Sequence, residues 1–429
     1  MDNKKLLRKL KDFDPELFTL LKENTERQSS MLSLIPTDSA ASPFSGYLKG
    51  STLGNDFIGF HSVERHGRTE TMAANRACKL FGAEHAIVRT GNLIAASRVV
   101  LQALLKNGDT ILSFNLRKKE HCTGEHMNYN FVKFAIEPDT FRIDVDKVRA
   151  LAKLRRPKMI IYSPVNYPHN VDYKKMRAIA EEVNAILWVD IGQNSGLVAA
   201  GEIPSPVPYA DVVTFSASDA LHGPQSGIIL CKKKFSAVLE QAVIDTGHAS
   251  LKKNVLAALA VTFHEAACEE YKDYARQIIL NARALEKGLL STDADLFCSP
   301  TENHLVVVHL KGRYTQKNIV DKLAQGRLLV KAETLMTSKE NISYPVLRLS
   351  SLDPTTRGLY EEDMFTVGRT LGEFLRSPQD SMSIKAVAEI VKELVDGLPI
   401  FSEEWLPGAE VAQEMDSDLM MKAMIYGTI

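Results

Sequence analysis

The chain has 429 residues, 45% of them hydrophobic and 24% charged, with a formal net charge of −1. That length and apolar content suit one large domain plus a smaller one. The balanced charge excludes a strong field of either sign, so neither nucleic acid nor an anionic membrane is expected as a partner.

Met1-Asp2-Asn3-Lys4-Lys5 leads into a charged helix, with no apolar signal region and no run long enough to span a bilayer. A cytoplasmic location is the expectation. Asp14-Pro15-Glu16 predicts a helix start, with Asp as N-cap and Pro in the first turn, running to about Gln28. A polar stretch with little period follows from Ser29 to Arg68; such stretches are usually functional or interface-forming.

From residue 70, short apolar runs alternate with amphipathic segments. Runs at 86–88, 110–114, 159–162, 185–189, 212–215 and 227–231 predict strands, with helices at 93–105 and 172–183 among those between them. Strands covered on both faces mean an α/β fold with a mostly parallel sheet. The chain reads as helical from Ala249 to about Leu290. Beyond it, strands at 304–310, 328–331 and 346–349 and helices at 315–324, 360–375 and 385–394 predict a smaller α+β domain. The expected division is 1–67 (N-terminal helix and interface arm), 68–290 (large domain), 291–400 (small domain) and 401–429 (tail). The tail carries six acids and an apolar end, Leu419-Met420-Met421. It reads either as a segment docked on its own protein or as a partner-binding helix.

The cysteines, Cys78, Cys122, Cys231, Cys268 and Cys298, are odd in number and scattered, which argues against a disulfide framework or a zinc site. Most read as small core residues; Cys122, beside His121, could lie near a pocket. Ligands in such sheets sit beyond the carboxyl ends of the strands. Asp190, which ends the run Ala185-Ile186-Leu187-Trp188-Val189, is therefore a candidate. A buried carboxylate there needs a partner: a helix cap, an ion pair or a protonated ring nitrogen.

The wider text resembles serine hydroxymethyltransferases. The resemblance rests on Leu80-Phe81-Gly82-Ala83-Glu84-His85-Ala86, on Trp188-Val189-Asp190 with Gly196-Leu197-Val198-Ala199-Ala200-Gly201, on Pro204 to Thr214, and on Arg348 with Thr355-Thr356-Arg357-Gly358. It implies a fold type I pyridoxal-phosphate architecture and a dimer whose sites borrow residues from both subunits. By the same resemblance, Asp190 matches the aspartate that pairs with the pyridine nitrogen and His121 the histidine that stacks on the ring. Arg348 matches the arginine that grips the substrate carboxylate, a role that suits its planar fork. Thr37 stands for a serine that helps hold the same group.

Other positions depart from that pattern. The family's Thr-Thr-Thr-Thr-His-Lys appears as Thr214-Phe215-Ser216-Ala217-Ser218-Asp219, so an aspartate stands where the cofactor-binding lysine should be. A carboxylate cannot form an imine. The flanking histidine and arginine have become Ser218 and His222, while Gly223-Pro224 keeps the frame of the loop. The phosphate-binding Ser-Gly-Ser appears as Asn92-Leu93-Ile94, with a leucine where glycine permits close approach. Asp38 replaces the acid-base glutamate, Phe57 a tyrosine, Gly59 a second glutamate and Gln193 a histidine. The segment from His121 to Asn130 is shorter than in the family. The lysines nearest in sequence, Lys232, Lys233 and Lys234, follow a strand that should carry them roughly 17 Å away at about 3.3 Å per residue, and they read as a solvated cluster.

Two functions remain open. In the first, the chain is a pseudoenzyme, a binding or regulatory subunit forming a homodimer or pairing with an intact relative. In the second, it is a specialised enzyme without an internal imine, doing aldol-type or transferase chemistry on an amino-acid-like substrate in a biosynthetic pathway. Pyridoxal phosphate could be held only non-covalently, and a small carboxylate is the expected ligand class. If Asp219 and Asp190 share one pocket, one of them should titrate high and the pair would attract a ligand amine. The alternative is that Asp219 caps or hydrogen-bonds its own turn.

Overall fold

The computed structural model describes residues 3–55, 67–114, 129–163, 167–247, 251–311, 315–338 and 343–408. Thirteen strands lie among them, in chain order β1 (Leu32–Ser33), β2 (His85–Thr90), β3 (Thr110–Phe114), β4 (Asn130–Phe134), β5 (Met159–Tyr162), β6 (Ile186–Asp190), β7 (Val212–Phe215), β8 (Gly227–Cys231), β9 (Leu296–Phe297), β10 (Leu305–His309), β11 (Leu328–Leu329), β12 (Lys331–Met336) and β13 (Ser343–Ser350).

Seven strands form the large sheet, in the order β2-β8-β7-β6-β5-β3-β4. Strand β8 runs antiparallel to both its neighbours, and the other pairings are parallel. The residues of β5, β7 and β8 are all buried because both faces are covered. Alternate residues feed two cores: Leu112, Ile160, Leu187 and Val213 on one face, Ile111, Ile161, Trp188 and Val212 on the other. Strand β4 has no counterpart in the sequence reading. As the edge strand it is half exposed, so Asn130-Phe131-Val132-Lys133-Phe134 lacks the unbroken apolar run that marks the central strands.

The smaller sheet is antiparallel, in the order β12-β13-β10-β9. Its two faces serve different cores. Val306, Val308, Leu347 and Leu349 pack with the second half of the helix Glu269–Leu290 and with the helix Glu361–Arg376. Val307, Leu335 and Val346 instead join the core of the large sheet. Cys78, Cys231, Cys268 and Cys298 are free thiols; Cys122 lies outside the described residues, as does the tail from 409 onward.

The helix Pro15–Ser30 starts as expected, with Asp14 Oδ1 accepting from the Leu17 amide at 3.0 Å. The arm after it, expected to be functional or interface-forming, is ordered against its own chain over its first part. Residues 31–54 lie on their own chain. Strand β1 pairs with β11, and Leu32 and Leu34 are fully buried in the small-domain core. Arg357, itself 2% exposed, donates to the carbonyls of Met31 at 2.6 Å and Ser29 at 3.0 Å. The helix Pro43–Lys49 is held by Asn254, which donates to the Lys49 carbonyl at 2.6 Å.

Two glycines set the approach of the helices Glu269–Leu290 and Glu361–Arg376. A Cβ on Gly288 would strike the Phe365 carbonyl, and one on Gly368 would strike the Leu285 carbonyl. Backbone cannot yield as a side-chain tip can. Gly368→Ala is therefore expected to destabilise the fold by about 1–3 kcal/mol, the usual cost of overpacking, as a lowered thermal midpoint will report. An unchanged midpoint would mean that the two helices can move apart freely.

Candidate functional site

The carboxyl ends of β2, β6 and β7 bring three of the sequence candidates to one edge of the large sheet. Asn92 follows β2 and caps the helix Leu93–Leu104, its Oδ1 accepting from the Ala95 amide at 2.8 Å. Asp190 is the last residue of β6, one residue further than the apolar run suggested, and is 6% exposed. Its Oδ1 accepts from the Gly192 amide at 2.9 Å. Burial pushes its carboxyl up to about 6, against that amide and the Ser163 hydroxyl beside it, which lower it. The Ser163 hydroxyl lies near without meeting the geometry of a hydrogen bond.

Leu93 also reaches this edge. A Cβ on Gly192 would lie 2.9 Å from Leu93 Cδ2 and 3.3 Å from Asp190 Oδ1, so both side chains border Gly192.

Asp219 opens a short 3-10 turn, Asp219–Leu221, after β7. Its φ of 55° is left-handed, a conformation that aspartate tolerates better than most residues. Its Oδ1 accepts from the Ser218 hydroxyl at 3.2 Å, and its carbonyl accepts from the His222 amide at 3.1 Å. Burial raises its carboxyl to about 7; Ser218 opposes the rise and the charge of Asp38 adds to it. The sequence reading asked whether Asp190 shares a pocket with Asp219 or whether Asp219 hydrogen-bonds its own turn, as it does through Ser218. The neighbour that acts on it is Asp38, brought in by the arm.

Asp38 is fixed by Ser33, whose hydroxyl donates to its Oδ2 at 2.8 Å while the Ser33 amide donates to Asp353 at 3.2 Å. Asp353 is raised by burial to about 6. His222 anchors the other side of the turn. Its Nδ1 donates to the Ala40 carbonyl at 2.8 Å, with Ser39 Oγ 3.1 Å away, and burial lowers it to about 4, so the ring is neutral. Thr37 is exposed on the turn before Asp38. His121, Phe57 and Gly59 lie outside the described residues.

Arg348, 1% exposed, lies on β13, on the face turned to the large domain. Its Nη1 donates to both oxygens of Glu333 at 3.2 Å. Glu333 was missed in the sequence, where its only signal was a charged residue in a short polar strand. No lysine lies between Thr214 and Pro224. The register Val212↔Cys231 puts Lys232 at the far end of β7 from Asp219. Lys232 and Lys234 approach the buried Asp211 at 4.0 and 3.3 Å, so they are partly paired rather than only solvated.

A mostly parallel seven-stranded sheet, a carboxylate at the end of its central strand and a smaller antiparallel domain carrying a buried arginine are the architecture of fold type I pyridoxal-phosphate enzymes. The family model for serine hydroxymethyltransferase matches residues 10–371. A serine hydroxymethyltransferase of Myxococcus xanthus (strain DK1622) is 34% identical over 411 residues, covering 92% of this chain and 98% of that relative. The chain belongs to the serine hydroxymethyltransferase family.

Among the described residues, those at this edge of the sheet do not fit a covalently anchored pyridoxal phosphate. Asp190 suits a protonated ring nitrogen, but Leu93 opens the next helix where the resemblance calls for a glycine. The Ala95 amide, a natural phosphate donor at a helix start, is already satisfied by Asn92. Asp219 has no amine to offer.

Proposed function

We propose that this chain is a family member that has lost glycine–serine hydroxymethyl transfer and serves as a binding or regulatory subunit. The observation that carries the reading is Asp219, a partly buried carboxyl on the turn after β7 where the resemblance calls for the imine-forming lysine. Leu93 in the phosphate segment and the shorter acid at Asp38 support it.

The purified protein is expected to be colourless and to give no borohydride-trapped pyridoxal adduct on peptide mapping. A yellow protein carrying a lysine-linked adduct anywhere in the chain would overturn the proposal.

The subunit is proposed to work as a homodimer or beside an intact relative. Exposed Leu6, Phe13, Leu17 and Leu20 on the first two helices support association. Sedimentation velocity at micromolar concentration should find a dimer; a monomer with no partner recovered from cells would count against it.

A second reading, a specialised enzyme on an amino-acid-like substrate, draws support from Asp190 and Asp219, which titrate at about 6 and about 7, where proton transfer is efficient. Aldol cleavage of hydroxy amino acids without added cofactor, lost in Asp219→Asn, would favour it over the first.

A further inference from the structure

We propose that Glu333 is a built-in occupant of the Arg348 carboxylate site, a residue that decides how readily this chain admits a small external carboxylate.

The register of the small sheet makes the arrangement. Arg348 stands directly opposite Lys331 on β12 and opposite Val307 on β10. Side chains alternate across a strand, so Glu333, two residues past Lys331, shares the face of Arg348 and meets it on the diagonal. Its two oxygens both lie 3.2 Å from Arg348 Nη1, and Lys331 Nζ lies 3.4 Å from Oε1. Exposure falls from 38% at Lys331 to 8% at Glu333 and 1% at Arg348.

A guanidinium this deeply buried must be paired. In this chain the strand next door supplies the carboxylate, with no external molecule needed. An arriving carboxylate must therefore share or displace Glu333. Displacement has a route, because Lys331 can hold Glu333 on the solvent side while the guanidinium changes partner. The ligand class follows from the chemistry: a compact monocarboxylate such as acetate or glycine, small enough to replace one side-chain carboxyl.

The inference deepens the binding-subunit reading and rests on it only for the place of the site. Its test involves neither catalysis nor a pyridoxal chromophore, so either idea can fail alone. Thermal unfolding of the full chain is followed in chloride, acetate and glycine at matched ionic strength. The proteins are the parent, Glu333→Gln, and the double variant Glu333→Gln with Arg348→Gln. Glu333→Gln should melt below the parent in chloride. Acetate and glycine should raise its midpoint saturably, with binding at least roughly tenfold tighter than to the parent, the worth of a charge-assisted pair. The double variant should lose that response. If Glu333→Gln does not fold in chloride, refolding yield in acetate against chloride is the measure. Carboxylate-specific recovery supports the proposal. An equal response of parent and variant, a response retained in the double variant, or no recovery would overturn it.

Discussion

Asp219→Lys is expected not to restore the hydroxymethyl transfer that we propose this chain has lost. The new amine would stand on a turn residue with φ 55°, where a long side chain costs about 1 kcal/mol or more. It would also stand within the field of Asp38, the same charge that raises the native Asp219 carboxyl. A neighbouring carboxylate favours the protonated amine, which is not nucleophilic. The variant leaves Leu93 in the phosphate segment and Asn92 bound to the Ala95 amide. It leaves Asp38 one methylene short of a glutamate, held at 2.8 Å by Ser33. Misplaced acid-base groups alone cost roughly 10²–10⁴-fold in rate. Folate-dependent and folate-independent aldol cleavage, assayed for variant and parent side by side, should both stay near background. Strong turnover from the single substitution would mean that the other differences are incidental and that the proposed loss of activity rests on one residue.

Asp219→Asn should stabilise the protein, and by an amount that grows with pH. The folded-state carboxyl titrates at about 7 against an ordinary value of 3.8, chiefly because it is buried. Between those values the folded chain keeps a proton that the unfolded chain releases. Stability due to this group is thus lost as pH rises from about 4, and the full penalty is present above about 7. Asparagine, neutral at every pH, carries no such penalty. Each tenfold difference in proton affinity between the folded and unfolded chain is worth about 1.4 kcal/mol, so the variant should exceed the parent by about 2–4 kcal/mol at pH 8 and by little at pH 4. Glu265, raised by burial to about 7, adds to the same slope in both proteins, while His222, lowered to about 4, acts in the opposite sense at acid pH. The difference between the two stability curves isolates residue 219. Parallel curves from pH 4 to 8 would show that Asp219 is solvated and ionised in the folded state.

The central strands were legible because burial on both faces writes itself into local text. Val212–Phe215 and Gly227–Cys231 coincide with apolar runs, and Asp190 could be marked because it ends one. The absence of an amine near residue 219 was equally local, since it needs only the residue types between Thr214 and Pro224. The edge strands Asn130–Phe134 and Lys331–Met336 were missed or cut short, because one-sided burial dilutes the apolar signal.

What the tertiary structure decided are the relations between distant segments. Period and composition say nothing about which strand lies beside which, or in what register. The diagonal that gives Arg348 a carboxylate from its own chain depends on Lys331↔Arg348, a pairing that a one-residue slip would destroy. The arm lies on its own chain because β1 finds β11 about 300 residues away, and that docking makes Asp38 the acidic neighbour of Asp219. Leu93 could be read in the sequence as a poor phosphate-binding residue. That it borders Gly192, as Asp190 does, follows only from the adjacency of the strand ends.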